Sequence, residues 1–257
     1  MKNNILRQFF VIFTTIFTLV MNGAANAIPL NGRGTGEISD SFKVLFVPAG
    51  YVFAIWGVIY IGLIAYTIYH SLPSQRNNPL LIKTGWLAAL SNLANGSWIY
   101  FWHYGYYAIT LVIMIILLVS LLVIYLRLNI GKTLFSRTDK WLVSIPFSLY
   151  LGWITVATIA NATALLSFIG WTGWGVSDLV WTLVMLTAGV LISGLMSFTR
   201  SDIAYSLVLV WAFAGISVRW MSLMPMNIAG FTAAGLVLLL LLLSRTLPSA
   251  KKLPGAF

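Results

Sequence analysis

The segment Val47-Pro-Ala-Gly-Tyr-Val-Phe53-Ala-Ile-Trp56-Gly-Val-Ile-Tyr60 sets Phe53, Trp56 and Tyr60 three and four residues apart. On a helix that spacing puts the three rings on one face. Two later segments repeat the logic. Ser91, Asn95, Trp98 and Trp102 fall at helical intervals of four, three and four, with Phe101 beside them, and Trp153, Ala157 and Asn161 follow at intervals of four. Flat π-faces, a small alanine that opens space between them and a few amide donors suit a large, planar, amphipathic ligand. They do not suit bond-making chemistry. The chain has no cysteine, its two histidines (His70 and His103) fall in separate loops, and no nucleophile elbow, His-rich metal motif or paired intramembrane carboxylates appear. The expectation is a binding protein and not an enzyme, with no metal site and no resident cofactor.

Plainer roles compete for the same residues. Trp102, Tyr104, Tyr106 and Tyr107 read as an interfacial aromatic belt. Trp56 and Trp153 lie deeper, where pocket and packing roles are equally open. Asn92, Asn95 and Asn161 serve equally well as hydrogen-bond glue between helices.

The elements that carry these residues are membrane helices. Hydrophobic residues make up 60% of the 257 positions and charged residues 8%, far below the roughly 25% charged of a soluble domain. Apolar runs of about 20 residues recur with short polar breaks, the pattern of a polytopic helical membrane protein. Alternating ten-residue segments of a transmembrane barrel are not visible. Eight helices are expected, at about 6–26, 48–70, 80–102, 106–127, 140–165, 176–198, 202–220 and 227–245. Trp56 then lies about 12 Å along its helix from Pro48, at the depth of Asn95 and Trp98 on theirs.

The net charge of +10 reflects cations in the loops, so topology and not nucleic acid explains it. Lys2, Arg7, Arg76, Lys83, Arg127, Lys132, Arg137, Lys140, Arg200, Arg245, Lys251 and Lys252 fall on one side; Arg33, Lys43 and Arg219 fall on the other. That asymmetry places both termini in the cytoplasm. The longest connection, 27–47, is glycine-rich, faces outward and leads through Pro48 into the aromatic helix. A ligand lid is expected there, with Arg33 or Lys43 pairing with the ligand's polar edge. Residues 1–27 suit a cleavable signal as well as a retained helix, since Lys2 and Arg7 precede an apolar run that ends at Ala25-Asn-Ala27. Pro146 should kink the fifth helix.

These motifs together resemble the TspO/translocator family, the tryptophan-rich sensory proteins. Pro48, Phe53, Trp56 and Tyr60 are similar to the start of the family's second helix. Asn95-Gly-Ser-Trp98-Ile-Tyr-Phe101-Trp102 resembles its third, and Pro146 with Trp153, Ala157 and Asn161 resembles its fifth. The resemblance covers about residues 5–165 and implies an all-α polytopic membrane bundle of about eight helices, the first five forming the family's fold. Residues 1–165 would be that domain and 166–257 a three-helix extension with a short cytoplasmic tail. Segment 1 would then be a retained helix. The implied function is a receptor or translocator for a tetrapyrrole such as a porphyrin, in a sensory or stress-regulatory role in a bacterial cytoplasmic membrane; a small-solute transporter is the alternative. The implied partners are the bilayer, the porphyrin and a second copy in a homodimer. The implied ligand residues are Pro48, Phe53, Trp56, Tyr60, Asn95, Trp98, Phe101, Trp153, Ala157 and Asn161.

The departures are specific. The family's double proline is Val47-Pro48 here, Phe53 precedes Trp56 by three residues where the family has four, and Pro146 precedes Trp153 by seven where the family has four. Its sterol-recognition pattern needs an aromatic followed by a cation, and none follows Asn161, so sterol binding through that motif is not supported.

Overall fold

The computed structural model describes residues 2–28, 30–246 and 253–254. Eight long helices account for most of them. They are α1 (Lys2–Ala27), α2 (Ile55–Ser71, entered through a 3-10 stretch Gly50–Ala54), α3 (Pro79–His103), α4 (Tyr107–Arg127), α5 (Ile145–Phe168), α6 (Asp178–Arg200), α7 (Ile203–Arg219) and α8 (Met224–Thr246). All eight expected segments are present. Six helical spans are long and apolar enough to cross a bilayer, those of α1, α2, α4, α5, α6 and α8. The α3 helix is long enough but carries Ser91, Asn92, Asn95 and Ser97. The α7 helix has 17 residues, about 26 Å of rise against a hydrocarbon core of about 30 Å.

Local chemistry sets the helix starts. Asn78 accepts from the Leu80 amide with Pro79 at the first position of α3, Ser177 caps α6, and Asp202 caps α7 through the Tyr205 amide. A π-helical turn, Lys140–Ser144, runs directly into Pro146 at the start of α5. The irregularity expected at this proline, which has no N–H to donate, therefore takes the form of a widened turn.

The first five helices close a ring. The α1 helix packs on α2 and α3, α3 on α4, α4 on α5, and α5 returns to α2. Polar residues line the inner seams. Thr15 bonds Thr67, Thr18 donates to the Asn92 carbonyl, and the Asn22 amide donates to Asn95. In hydrocarbon such groups must satisfy one another, so the polar stripe of α1 makes it an integral wall of the ring. The outward faces (Ile61, Ile68, Val112, Leu191, Leu195, Leu242) are exposed and apolar, as a lipid-facing surface requires.

The α7 helix joins the last three helices to the ring by packing on α5, while α8 packs on α6 and α7. Gly152 permits this: a Cβ there would lie 3.0 Å from the Tyr205 carbonyl oxygen and 3.1 Å from Val208. Asp202 pins the seam. It is buried and accepts from Tyr125 Oη (2.8 Å), Ser148 Oγ and the Tyr205 amide (3.2 Å), drawing on α4, α5 and α7.

Cations gather at one end of the bundle. There Arg7 donates to the Arg76 carbonyl, Arg127 to the Lys83 carbonyl and Arg200 to Asn129. Arg33, Lys43 and Arg219 lie at the opposite end, with the segment that links α1 to α2. The side chain of Lys2 and residues 251–252 fall outside the described residues, as does most of the expected C-terminal tail.

Candidate ligand-binding site

The 3-10 stretch before α2 accounts for the unusual spacing of its rings. At three residues per turn, side chains three apart eclipse, so Phe53 and Trp56 share a face although one residue closer than the family pattern. Trp56 stacks on Tyr60 (5.5 Å between centroids, 18° between planes). Across the ring, α5 presents Trp153 edge-on to Trp56 (6.0 Å, 83°) and to Phe53 (5.9 Å, 86°). The α3 helix supplies Trp98 stacked on Trp102 (5.3 Å, 21°).

The rings of Phe53, Trp56, Trp98, Trp102 and Trp153 wall one cavity. Of the ten expected ligand residues, Pro48, Phe53, Trp56, Trp98, Trp153, Ala157 and Asn161 line it. Tyr60 does not; it lines an adjoining cleft between α1, α2 and α3, which shares Thr35, Phe53 and Trp56 with the first. Asn95 and Phe101 line neither. Phe101 packs edge-on to Tyr100 (5.5 Å) and Tyr106 (5.9 Å). At about 100° per residue, Trp102 lies about 40° from Trp98 and Phe101 about 60° away in the opposite sense, which turns Phe101 off the cavity.

Trp102 corrects the expectation of an interfacial belt. It is buried, lines the cavity and donates its indole N–H to the Thr35 carbonyl at 3.5 Å. The spacing that joins it to Asn95 and Trp98 was a readable signal for this place. Thr35, Ser39, Val47, Val156 and Ala160 also line the cavity; the two hydroxyl residues come from the linking segment and carry no sequence pattern that would single them out.

Hydrogen bonds divide the polar groups into committed and free. Trp98 Nε1 donates to Asn161 Oδ1 (3.1 Å), and Asn161 Nδ2 donates to Thr110 (3.0 Å). Asn95 Nδ2 donates to Tyr150 Oη (2.7 Å) while its oxygen accepts from Asn22 (2.8 Å). Asn92 donates to Thr15. The amides therefore brace helices, and Asn161 also fixes the Trp98 indole. Trp153 Nε1 and Tyr60 Oη are buried without a partner. A buried donor left without a partner among the described residues costs about 1–3 kcal/mol; Trp153 lines the cavity and Tyr60 the cleft beside it.

The segment between α1 and α2 covers the mouth. A short helix, Thr35–Asp40, carries Thr35 and Ser39 over the cavity. His103, the last residue of α3 and not a loop residue, holds it: Nδ1 bonds the Leu30 carbonyl (3.0 Å) and Nε2 pairs with Thr35 Oγ1 (2.9 Å). Since a carbonyl only accepts, Nδ1 carries a proton and donates, and in the neutral ring Nε2 accepts from Thr35. The other histidine, His70, lies buried in the last turn of α2 at the basic end.

The α7 helix clamps the same cover from outside. Arg219 pairs with Asp40 (2.6 Å), Trp220 donates to the Leu45 carbonyl (2.9 Å), Trp211 donates to the Val52 carbonyl (3.0 Å), and Phe46 meets Phe213 edge-on at 6.5 Å. Neither cation expected to reach the ligand lines the cavity. Arg33 is exposed and turned toward the Glu37 carbonyl, and Lys43 lines a different cleft.

Neither a curated protein nor a solved structure matches the chain. The family model of TSPO-like proteins matches residues 8–244. That match does not stop near residue 165, where the five-helix resemblance ends, but takes in α6, α7 and α8 as well. With the matched span reaching from α1 into α8 and so touching all eight long helices, the chain belongs to the TSPO-like family of integral membrane proteins of the sensory or translocator type.

Proposed function

We propose that the cavity between α2, α3 and α5 binds a planar amphipathic molecule of the tetrapyrrole class, such as a porphyrin, and that binding serves a sensory or stress-regulatory role and not catalysis. One observation carries this reading. Four indoles (Trp56, Trp98, Trp102 and Trp153) and Phe53 wall a single cavity, and one of those indoles keeps an unpaired N–H. Ring faces give a macrocycle broad contact, and the few polar groups orient it. The adjoining cleft shares Thr35, Phe53 and Trp56 with the cavity and reaches Tyr60, so it adds further aromatic surface beside the site. Ser39 at the mouth offers a hydroxyl to its polar edge, and Thr35, paired with His103, offers an acceptor oxygen. The proposed setting is a bacterial cytoplasmic membrane with both termini inside.

Titration of the purified chain in detergent with protoporphyrin IX, read by quenching of tryptophan fluorescence, tests this. Saturable quenching near one porphyrin per chain is expected. Quenching that rises linearly, as it would with free tryptophan in empty micelles, would sink the proposal.

A further inference from the structure

A second cleft lies at the same end of the bundle, outside the ring. Lys43 and the next three residues of the cover form one wall, the end of α5 with Thr163 and Ser167 another, and Trp171, Asp178 and Trp181 a third.

The loop that supplies Trp171 has an unusual backbone. In Gly170-Trp-Thr-Gly-Trp-Gly175 all three glycines have positive φ (71°, 66° and 79°), and Trp174 between them also stands at φ 54°. A left-handed conformation costs a bulky L-residue about 1–2 kcal/mol, and such strain gathers where a site needs a set geometry. The loop is held in place by Trp181 Nε1 donating to the Gly173 carbonyl (3.0 Å) and by contact among the three indoles, Trp171 to Trp181 at 5.2 Å and Trp171 to Trp174 at 5.4 Å. Trp174 is 81% exposed, the position of an aromatic at a membrane surface.

The charges are complementary but separate. Lys43 and Asp178 both line the cleft, and among the described residues the single ion pair is Arg219 with Asp40. One cation, one anion and two indoles around one space match a ligand that carries both signs. We propose that this cleft binds a zwitterionic phosphodiester of the phosphocholine or phosphoethanolamine type. Its ammonium group lies against the Trp171 and Trp181 indoles and Asp178, and its phosphate meets Lys43. Indole faces favour quaternary and primary ammonium groups, and a lysine pairs with phosphate as a point charge. The ligand is either the headgroup of a bilayer lipid or a free molecule of the same chemistry. This site does not depend on what the inner cavity binds.

Calorimetric titration of the full chain in a maltoside detergent separates the outcomes. The probes are glycerophosphocholine, a soluble headgroup, and dihexanoylphosphatidylcholine below its micelle concentration. Saturable heat is expected with the lipid. Lys43→Gln and Asp178→Asn, both at exposed side chains whose loss leaves folding intact, should each weaken it about tenfold. The exchange Lys43→Asp with Asp178→Lys should recover part of the loss, because both charges are again present. Trp56→Leu, in the inner cavity, should bind as wild type. Binding of both probes at similar strength identifies a free zwitterion as the ligand, and binding of the lipid alone identifies a bilayer headgroup. No saturable heat with either probe, or wild-type binding by both single variants, overturns the proposal.

Discussion

Trp153 and Trp98 offer a matched pair of substitutions with opposite expected signatures. Each is buried, lines the cavity and loses the same volume on replacement by Phe. They differ in one atom's surroundings: Trp98 Nε1 donates to Asn161 at 3.1 Å, whereas Trp153 Nε1 has no partner. Trp98→Phe strands a buried amide oxygen, which costs about 1–3 kcal/mol. At roughly 2–4 °C per kcal/mol for a chain of this size, the apparent melting temperature should fall by several degrees beyond the loss from volume alone. Trp153→Phe removes a donor that the free protein leaves unsatisfied at a cost of about 1–3 kcal/mol, so that relief should offset the volume loss and the melting temperature should fall little. Toward ligand the order reverses. If Trp153 Nε1 meets an acceptor on the tetrapyrrole, its loss removes a net bond of about 0.5–1.5 kcal/mol, or roughly a two- to thirteenfold weaker affinity. Thermal melts of the two variants, paired with porphyrin titrations, read both quantities. Equal melting temperatures for the two variants, together with wild-type affinity for Trp153→Phe, would refute the assignment of the free N–H to the ligand.

Three further expectations follow from named contacts. Trp102→Leu should weaken porphyrin binding roughly two- to thirteenfold, from aromatic contact worth about 0.5–1.5 kcal/mol, and Ala157→Phe should weaken it more by filling the cavity between the stripes; wild-type affinity in both would move the site elsewhere. Asp202→Asn turns an acceptor for Tyr125, Ser148 and the Tyr205 amide into a group that must donate on one side, so a stability loss of about 1–3 kcal/mol is expected, and an unchanged melt would show that this seam does not hold α7 to the ring. Single cysteines at Ser74 and Thr138 should resist an impermeant thiol reagent in sealed cells while one at Ser41 reacts; the chain has no native cysteine to interfere, and labelling at Thr138 would invert the proposed topology.

Membrane helices are legible because hydrocarbon imposes a simple rule on composition. All eight segments could be placed from apolar runs and cation-bearing loops, and the ring's aromatic faces followed from helical spacing. What stayed hidden depends on contacts between distant segments. The π-turn Lys140–Ser144 before Pro146 has no signature in the sequence, and the 3-10 start of α2 sets Phe53 beside Trp56 at a spacing that the sequence shows only as three residues where the family has four. Nothing in residues 203–219 announces that they clamp the cavity's cover, since Arg219 and Asp40 are far apart in the chain and Trp220 acts through its N–H on a backbone carbonyl. Charge alone points Arg33 and Lys43 at the ligand, yet Arg33 turns to the Glu37 carbonyl and Lys43 lines a separate cleft.

The amides show why residue type alone misleads inside a membrane. Asn95 and Asn161 stand beside aromatic rings and present donors, so at the level of sequence they resemble ligand groups. In a medium without water, however, each amide must find a partner in the free protein or destabilise it. Asn95 finds Tyr150 and Asn22, and Asn161 finds Trp98 and Thr110. The same rule run in reverse identifies the groups that can recognise a ligand, because a buried donor kept without a partner needs a reason. Trp153 Nε1 and Tyr60 Oη are such donors, one in the inner cavity and one in the cleft beside it. On the proposed tetrapyrrole reading, recognition falls to ring faces, the Trp153 indole of the cavity and the Tyr60 hydroxyl of the cleft beside it, while the asparagines hold the rings in position.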